Sequence, residues 1–144
     1  MLSKVEENNL TFNRVRETLL STFPEIQDRV WSTFGSVYDL EKGTPEETPG
    51  AYPIFGDVVK KLVFELLERG HDEELLTRFF LFFEAMANSP DADVRDLLGI
   101  EILEPMVYRK ASLRAAWRFM GPKVKAEAVL EADRQGRQEN LPPE

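Results

Sequence analysis

The chain has no cysteine in its 144 residues, which excludes disulfides, thiol nucleophiles and thiolate metal sites together. That composition fits a reducing cytoplasm. Histidine is nearly absent too, with His71 the only one. Zinc normally takes Cys or several His, so no zinc site is expected. As a general base His71 would need a nucleophile, and no serine stands in a G-x-S-x-G setting. Just before Asp72-Glu73-Glu74, at a helix junction, it reads as a solvent-facing turn residue. Gly35, Gly43, Gly50 and Gly56 match neither the P-loop nor the dinucleotide-binding spacing. No apolar run approaches the ~20 residues that span a bilayer. The stretch Met1 to Glu7 turns acidic without the apolar centre of a signal peptide. A soluble, cytoplasmic protein without metal or cofactor is expected.

Positive charge is the other shortage. Lys and Arg number 18 against 26 Asp and Glu, for a net charge of −8. Phosphate contacts through Lys and Arg supply most nonspecific nucleic-acid affinity, so direct nucleic-acid binding is not expected. The imbalance is also uneven. Residues 1–35 carry a net −1, residues 36–104 a net −10, and residues 105–144 a net +3. An acidic body followed by a mildly basic end could attract and orient a basic partner. The plain alternative is that acidic helices keep the protein in solution.

What is abundant is helical periodicity. Phe12, Val15, Leu19 and Phe23 recur at spacings of three and four and predict a helix over Thr11 to Thr22. Thr22 and Glu25 have capping-box spacing for a second helix with Ile26, Val30 and Phe34 on one stripe. Residues Ser36 to Pro53 break the pattern, and Lys42 to Gly50 holds two prolines and two glycines, so a long loop is expected there, with a short extended piece possible over Ser36 to Leu40. A third helix, Ile54 to Arg69, has apolar residues at 54, 55, 58, 59, 62, 63, 66 and 67, with Gly70 as its left-handed stop. Asp72 then caps a fourth helix to Asn88. Its run Phe79-Phe80-Leu81-Phe82-Phe83 demands packing on several sides, and the helix formers flanking it favour helix over a buried strand.

Ser89-Pro90-Asp91 opens a fifth helix, with Ser89 or Asp91 as cap and Pro90 in the first turn. Gly99 weakens it, so Ile100 to Leu103 could be irregular. Ser112 is the expected cap of a sixth helix. Gly121-Pro122 starts a last one, marked by Val124, Ala128 and Val129. The expected fold is all-α: a compact antiparallel bundle or HEAT-like array of about six to seven helices, one domain over 1–135, with a disordered tail over 136–144.

Carboxylates are the only plentiful reactive groups. Glu84, after the phenylalanine run, and Glu101 with Glu104, three apart, are the sharpest acid/base candidates. Most such carboxylates pair with an arginine or cap a neighbouring helix, so the expectation is no catalytic residue and no enzyme. Asp91, Asp93 and Asp96 resemble a calcium loop only briefly, lacking its glycine and terminal glutamate. Tyr38 and Tyr52 flank the acidic loop, where tyrosines can anchor an interface.

The stretch FFLFFEAMANSPDADVRDLLGIEILE (Phe79 to Glu104), followed by Met120-Gly121-Pro122, resembles a family of small helical bacterial proteins. That family is associated with immunity proteins of polymorphic toxins. The likeness spans roughly 52–135, and F-E-x-M-A-x-S-x-D is its most specific part. It implies a non-catalytic module that binds and neutralises a cognate protein toxin, such as a basic nuclease. The partner-binding residues expected from charge and loop position are Tyr38, Glu46, Glu47, Tyr52, Asp91, Asp93, Asp96, Glu101 and Glu104. The rivals are a structural or adaptor module using an apolar groove and a hydrolase built on Glu84 or Glu104.

Overall fold

In the computed structural model, residues 10–34 and 49–143 are described. Tyr38, Glu46, Glu47 and the extended piece considered at Ser36 to Leu40 lie outside the described residues. The rest is an all-α bundle of seven helices, with no strand among the described residues. Helix α1 is Phe12–Thr22. A 3₁₀ turn, Pro24–Ile26, leads into α2, Gln27–Phe34. Ala51–Ile54, Phe55–Val59 and Lys60–Arg69 run on without a break as α3, the middle piece being a π turn. Helix α4 is Glu73–Ala87. Ala92–Leu98, the π turn Gly99–Leu103 and Glu104–Tyr108 together make α5. Helix α6, Lys110–Ala116, ends in a 3₁₀ turn, and α7 is Pro122–Gln135.

All eight apolar positions expected to face inward on α3 are buried, and so is Phe64. The phenylalanine run is helical, and Phe79, Phe80, Phe82 and Phe83 are buried. Phe23 stacks on Phe79 at 4.3 Å between ring centroids, and Phe80 meets Phe83 edge-on at 5.1 Å. Leu81 departs from the expectation: at 55% exposure it faces solvent, because four rings already fill the space around α4. Trp117 and Phe119 are partly buried and pack against the core.

The stop signals act as their chemistry dictates. Gly70 is left-handed (φ 68°) and its N–H donates to Leu66 O. Asp72 Oδ1 accepts from Leu75 N at 3.2 Å. Asp91 is the cap of α5, with Pro90 just before the cap and not within the first turn.

The π turn of α5, where irregular backbone was expected, has a local cause. Pro105 has no N–H to give Glu101 O, and its ring crowds that carbonyl. Widening the turn to an i+5 pattern, with Glu104 N donating to Gly99 O, lets the helix continue.

Several expectations fail for identifiable reasons. Thr22 does not form a capping box: its hydroxyl donates back to Thr18 O at 2.6 Å, and Glu25 is taken by Arg78 at 2.7 Å. Ser112 lies buried within α6, whose cap position is Arg109. The expected disordered tail is packed over 138–141. Asn140 is buried and donates to Val107 O at 2.8 Å, while the Arg114 guanidinium donates to the carbonyls of Glu139, Asn140 and Leu141. A buried amide with its donor satisfied holds the turn Gln138–Asn140 in place.

Candidate functional site

Two groups stand out among the acids of the central segment, one held by partners within the fold and one gathered around a tyrosine. Glu84, on α4, reaches the start of α7. Its Oε2 accepts from Lys123 N and its Oε1 from Val124 N, each at 2.9 Å. Helix α7 has no side-chain cap of its own, so a carboxylate from another helix serves its first turn. The fit is close: a Cβ on Gly121 would lie 2.5 Å from Glu84 Cδ and Oε1. Both oxygens of the sharpest acid/base candidate are thus engaged at a helix end.

Asp91 is also committed. Its Oδ1 accepts from Asp93 N at 3.0 Å and its Oδ2 from Phe12 N at 2.8 Å, tying the start of α1 to the α4–α5 corner. Ser89 strengthens that corner by donating to Leu10 O at 2.6 Å. Asp91, placed among the partner-binding residues by sequence, thus has both carboxylate oxygens engaged within the fold. Asp72, Glu65 and Glu73 are engaged as well, through the α4 cap and through Arg29, Arg69 and Arg118.

Asp93, Asp96 and Glu101 form the second group. Their carboxylates have no hydrogen bond or ion pair among the described residues. Asp93 and Asp96 are exposed on the first turns of α5, and Glu101 is half-buried in its π turn. All three act on Tyr52 in the first turn of α3. Burial raises the Tyr52 pKa first, and the charges of Asp96, Glu101 and Asp93 raise it further. Tyr52 is half-buried with its ring 6.0 Å from that of Phe12. The two π turns pack against each other here, and a Cβ on Gly56 would meet Glu101 Oε1 at 2.5 Å. Glycine in α3 therefore makes the room in which the Glu101 carboxylate sits.

Glu104, three residues on, faces elsewhere. With Arg95, Asp96, Glu127, Glu131 and Arg134 it lines a cleft of about 230 Å³ between α5 and α7. Glu131 is buried and paired with Arg134. A second, wider groove of about 710 Å³ adjoins the cleft and gathers Lys60, Tyr108, Arg109 and Arg137. The sequence reading missed this basic groove, although the net +3 of residues 105–144 carried its signal.

No helix among the described residues is long and apolar enough to cross a membrane. Neither a curated protein nor a solved structure matches the chain. A match over residues 16–135, from within α1 to the end of α7, places the chain in the family described as a domain of unknown function, DUF7674, and the chain belongs to that family.

Proposed function

We propose that the protein is a non-catalytic binding module that recognises a basic protein through Tyr52, Asp93, Asp96 and Glu101. The observation that carries this reading is the contrast in use. Glu65, Asp72, Glu73, Glu84 and Asp91 of the same segment are spent on helix ends and arginines. These three carboxylates have no partner among the described residues and, unlike the equally unpartnered Asp57, Glu68, Glu74 and Glu104, converge electrostatically on one tyrosine. Leaving three like charges together costs folding energy by mutual repulsion, and a Lys or Arg from a partner would relieve it. A tyrosine ring offers the same cation its face and its hydroxyl.

The resemblance of Phe79 to Glu104 to immunity-type proteins favours a toxin as that partner, and an acidic surface suits a nuclease cleft lined by Lys and Arg. On this reading the module works stoichiometrically in the cytoplasm, covering the toxin's basic site. Association is fast and slows as salt rises.

The test uses the protein encoded by the adjacent reading frame, which this reading expects to carry a toxin domain. Titration calorimetry should show a one-to-one complex, and co-expression should relieve toxicity. Charge reversal at Asp93, Asp96 and Glu101 together should weaken the complex by at least about a hundredfold, given one to several kcal/mol for each close charge pair. Unchanged affinity in the triple variant would remove this surface from the account. Absence of any complex would remove the immunity role.

A further inference from the structure

The wider groove beside the α5–α7 cleft reverses the chemistry of the acidic face, and none of Tyr52, Asp93, Asp96 or Glu101 lines it. Two of its cations are held by aromatic rings. The Arg137 guanidinium lies over the Tyr108 ring, 4.2 Å from the centroid. The Arg109 guanidinium lies over the Phe64 ring at 5.0 Å. Stacking occupies the flat face of a guanidinium and leaves its in-plane N–H donors pointing outward. Neither side chain gives those donors to a carboxylate or carbonyl among the described residues, and Lys60, on the same groove, has no acidic partner there either. Three arginines elsewhere are spent: Arg78 on Glu25, Arg118 on Glu73, Arg114 on three tail carbonyls. In a chain of net charge −8, with acids to spare, three unpaired cations around about 710 Å³ of space form a prepared anion-binding surface.

The groove also has apolar ground. Ile100 is 51% exposed and Tyr108 61% exposed, and both line it. Glu104 and Glu131 line it too. A nucleic-acid strand presents a phosphate at every step and would meet those two carboxylates. A peptide can place its acids selectively, at Arg137, Arg109 and Lys60, and set an apolar side chain on Ile100 and Tyr108. We propose that this groove docks an acidic, leucine-containing segment of a second protein, whose carboxylates take the forked donors of Arg137 and Arg109. The module then has two recognition surfaces of opposite sign, one for a basic partner and one for an acidic segment.

Fluorescence anisotropy on the full chain tests this with three probes: a short labelled peptide of Glu, Asp and Leu, its Gln/Asn counterpart, and a labelled oligothymidylate of similar length. The acidic peptide should bind, with affinity falling as salt rises, and the other two should bind at least about tenfold more weakly. Arg109→Gln with Arg137→Gln should lower affinity for the acidic peptide about tenfold or more, whereas Arg14→Gln on α1 should leave it unchanged. Helical circular dichroism checks the fold of the double variant. If that variant unfolds, Lys60→Glu alone should still weaken the peptide. Equal binding of the amide peptide would make the groove merely apolar, and equal binding of the oligonucleotide would make it a phosphate site. Either result, full affinity in the folded variants, or no binding of the acidic peptide overturns the proposal.

Discussion

Glu84 and Glu101 make an instructive pair. Each is a half-buried glutamate on a long helix, and each presses on a glycine of a neighbouring element, Gly121 for Glu84 and Gly56 for Glu101. Glu84 is pinned by two backbone N–H groups at the start of α7, whereas Glu101 has no hydrogen bond to the described residues. The first carboxylate is consumed by the fold, and the second is one of those proposed to meet a partner. Local sequence does not separate them: both stand among apolar residues and acids in the middle of the chain. Only the tertiary partner of each carboxylate does, and for Glu84 that partner lies about forty residues away in sequence.

Alanine at the two glycines breaks the comparison most directly. Gly121→Ala drives a methyl group into a carboxylate that cannot move without releasing Lys123 N and Val124 N. The expected loss is about 2 kcal/mol, the scale of a lost helix cap with charged hydrogen bonds, read as a lower midpoint in urea. Gly56→Ala meets a carboxylate that is free to swing outward. Its steric cost is offset by the better helix propensity of alanine, about 1 kcal/mol, so stability should change little. A large loss at Gly56 and none at Gly121 would invert the assignment.

The electrostatics of the Tyr52 cluster sharpen the same contrast on a smaller scale. Removing one charge with Asp96→Asn should bring the Tyr52 pKa down, yet leave it above the ordinary tyrosine value, because burial is the larger cause. Carbon-detected NMR of the Tyr52 ring across alkaline pH reads this directly. Glu84→Gln should leave that titration alone. No movement in Asp96→Asn would mean that the carboxylates are too far from Tyr52 to form one site.

The smallest effect concerns an acid spent on an arginine. The Arg78 hydrogen bond holds the Glu25 carboxyl below its ordinary value, with burial opposing it. A depressed folded pKa means that the contribution is present above the unfolded carboxyl pKa, near 4.5. It is lost as pH falls through the lower folded value. Both side chains are more than a third exposed, so about 0.5 kcal/mol is the upper scale. Arg78→Gln should flatten this acid limb in pH-dependent unfolding, and an unchanged limb would exclude the pair as its source.

The helices and most of their stops were legible because they depend on local rules. Periodic apolar residues marked α3 and α4, and Gly70, Asp72, Asp91 and Gly121-Pro122 marked ends. What failed was non-local. Thr22 looked like a cap because the spacing fits, but Arg78 on α4 takes its intended partner Glu25. The tail looked frayed because polar residues and prolines crowd it, but Val107 and Arg114 hold it. The candidate site was half legible. Asp93, Asp96, Glu101 and Tyr52 were named from charge and loop position, yet so was Asp91, and nothing local says that Phe12 N claims it. Arg109 and Arg137 went unnoticed because their significance lies in stacking on Phe64 and Tyr108. The family match also begins at residue 16, so it takes in most of α1 and all of α2, which lie outside the stretch carrying the immunity-type resemblance.

The division of labour among the carboxylates is tested most directly by Glu84→Gln and Glu101→Gln measured side by side, each for unfolding free energy and for affinity toward the proposed basic partner. The account predicts opposite profiles. Glu84→Gln should lose stability and keep its affinity when folded, and Glu101→Gln should keep its stability and lose affinity by about tenfold. Matching profiles, with both variants losing stability alone or both losing affinity alone, would contradict it.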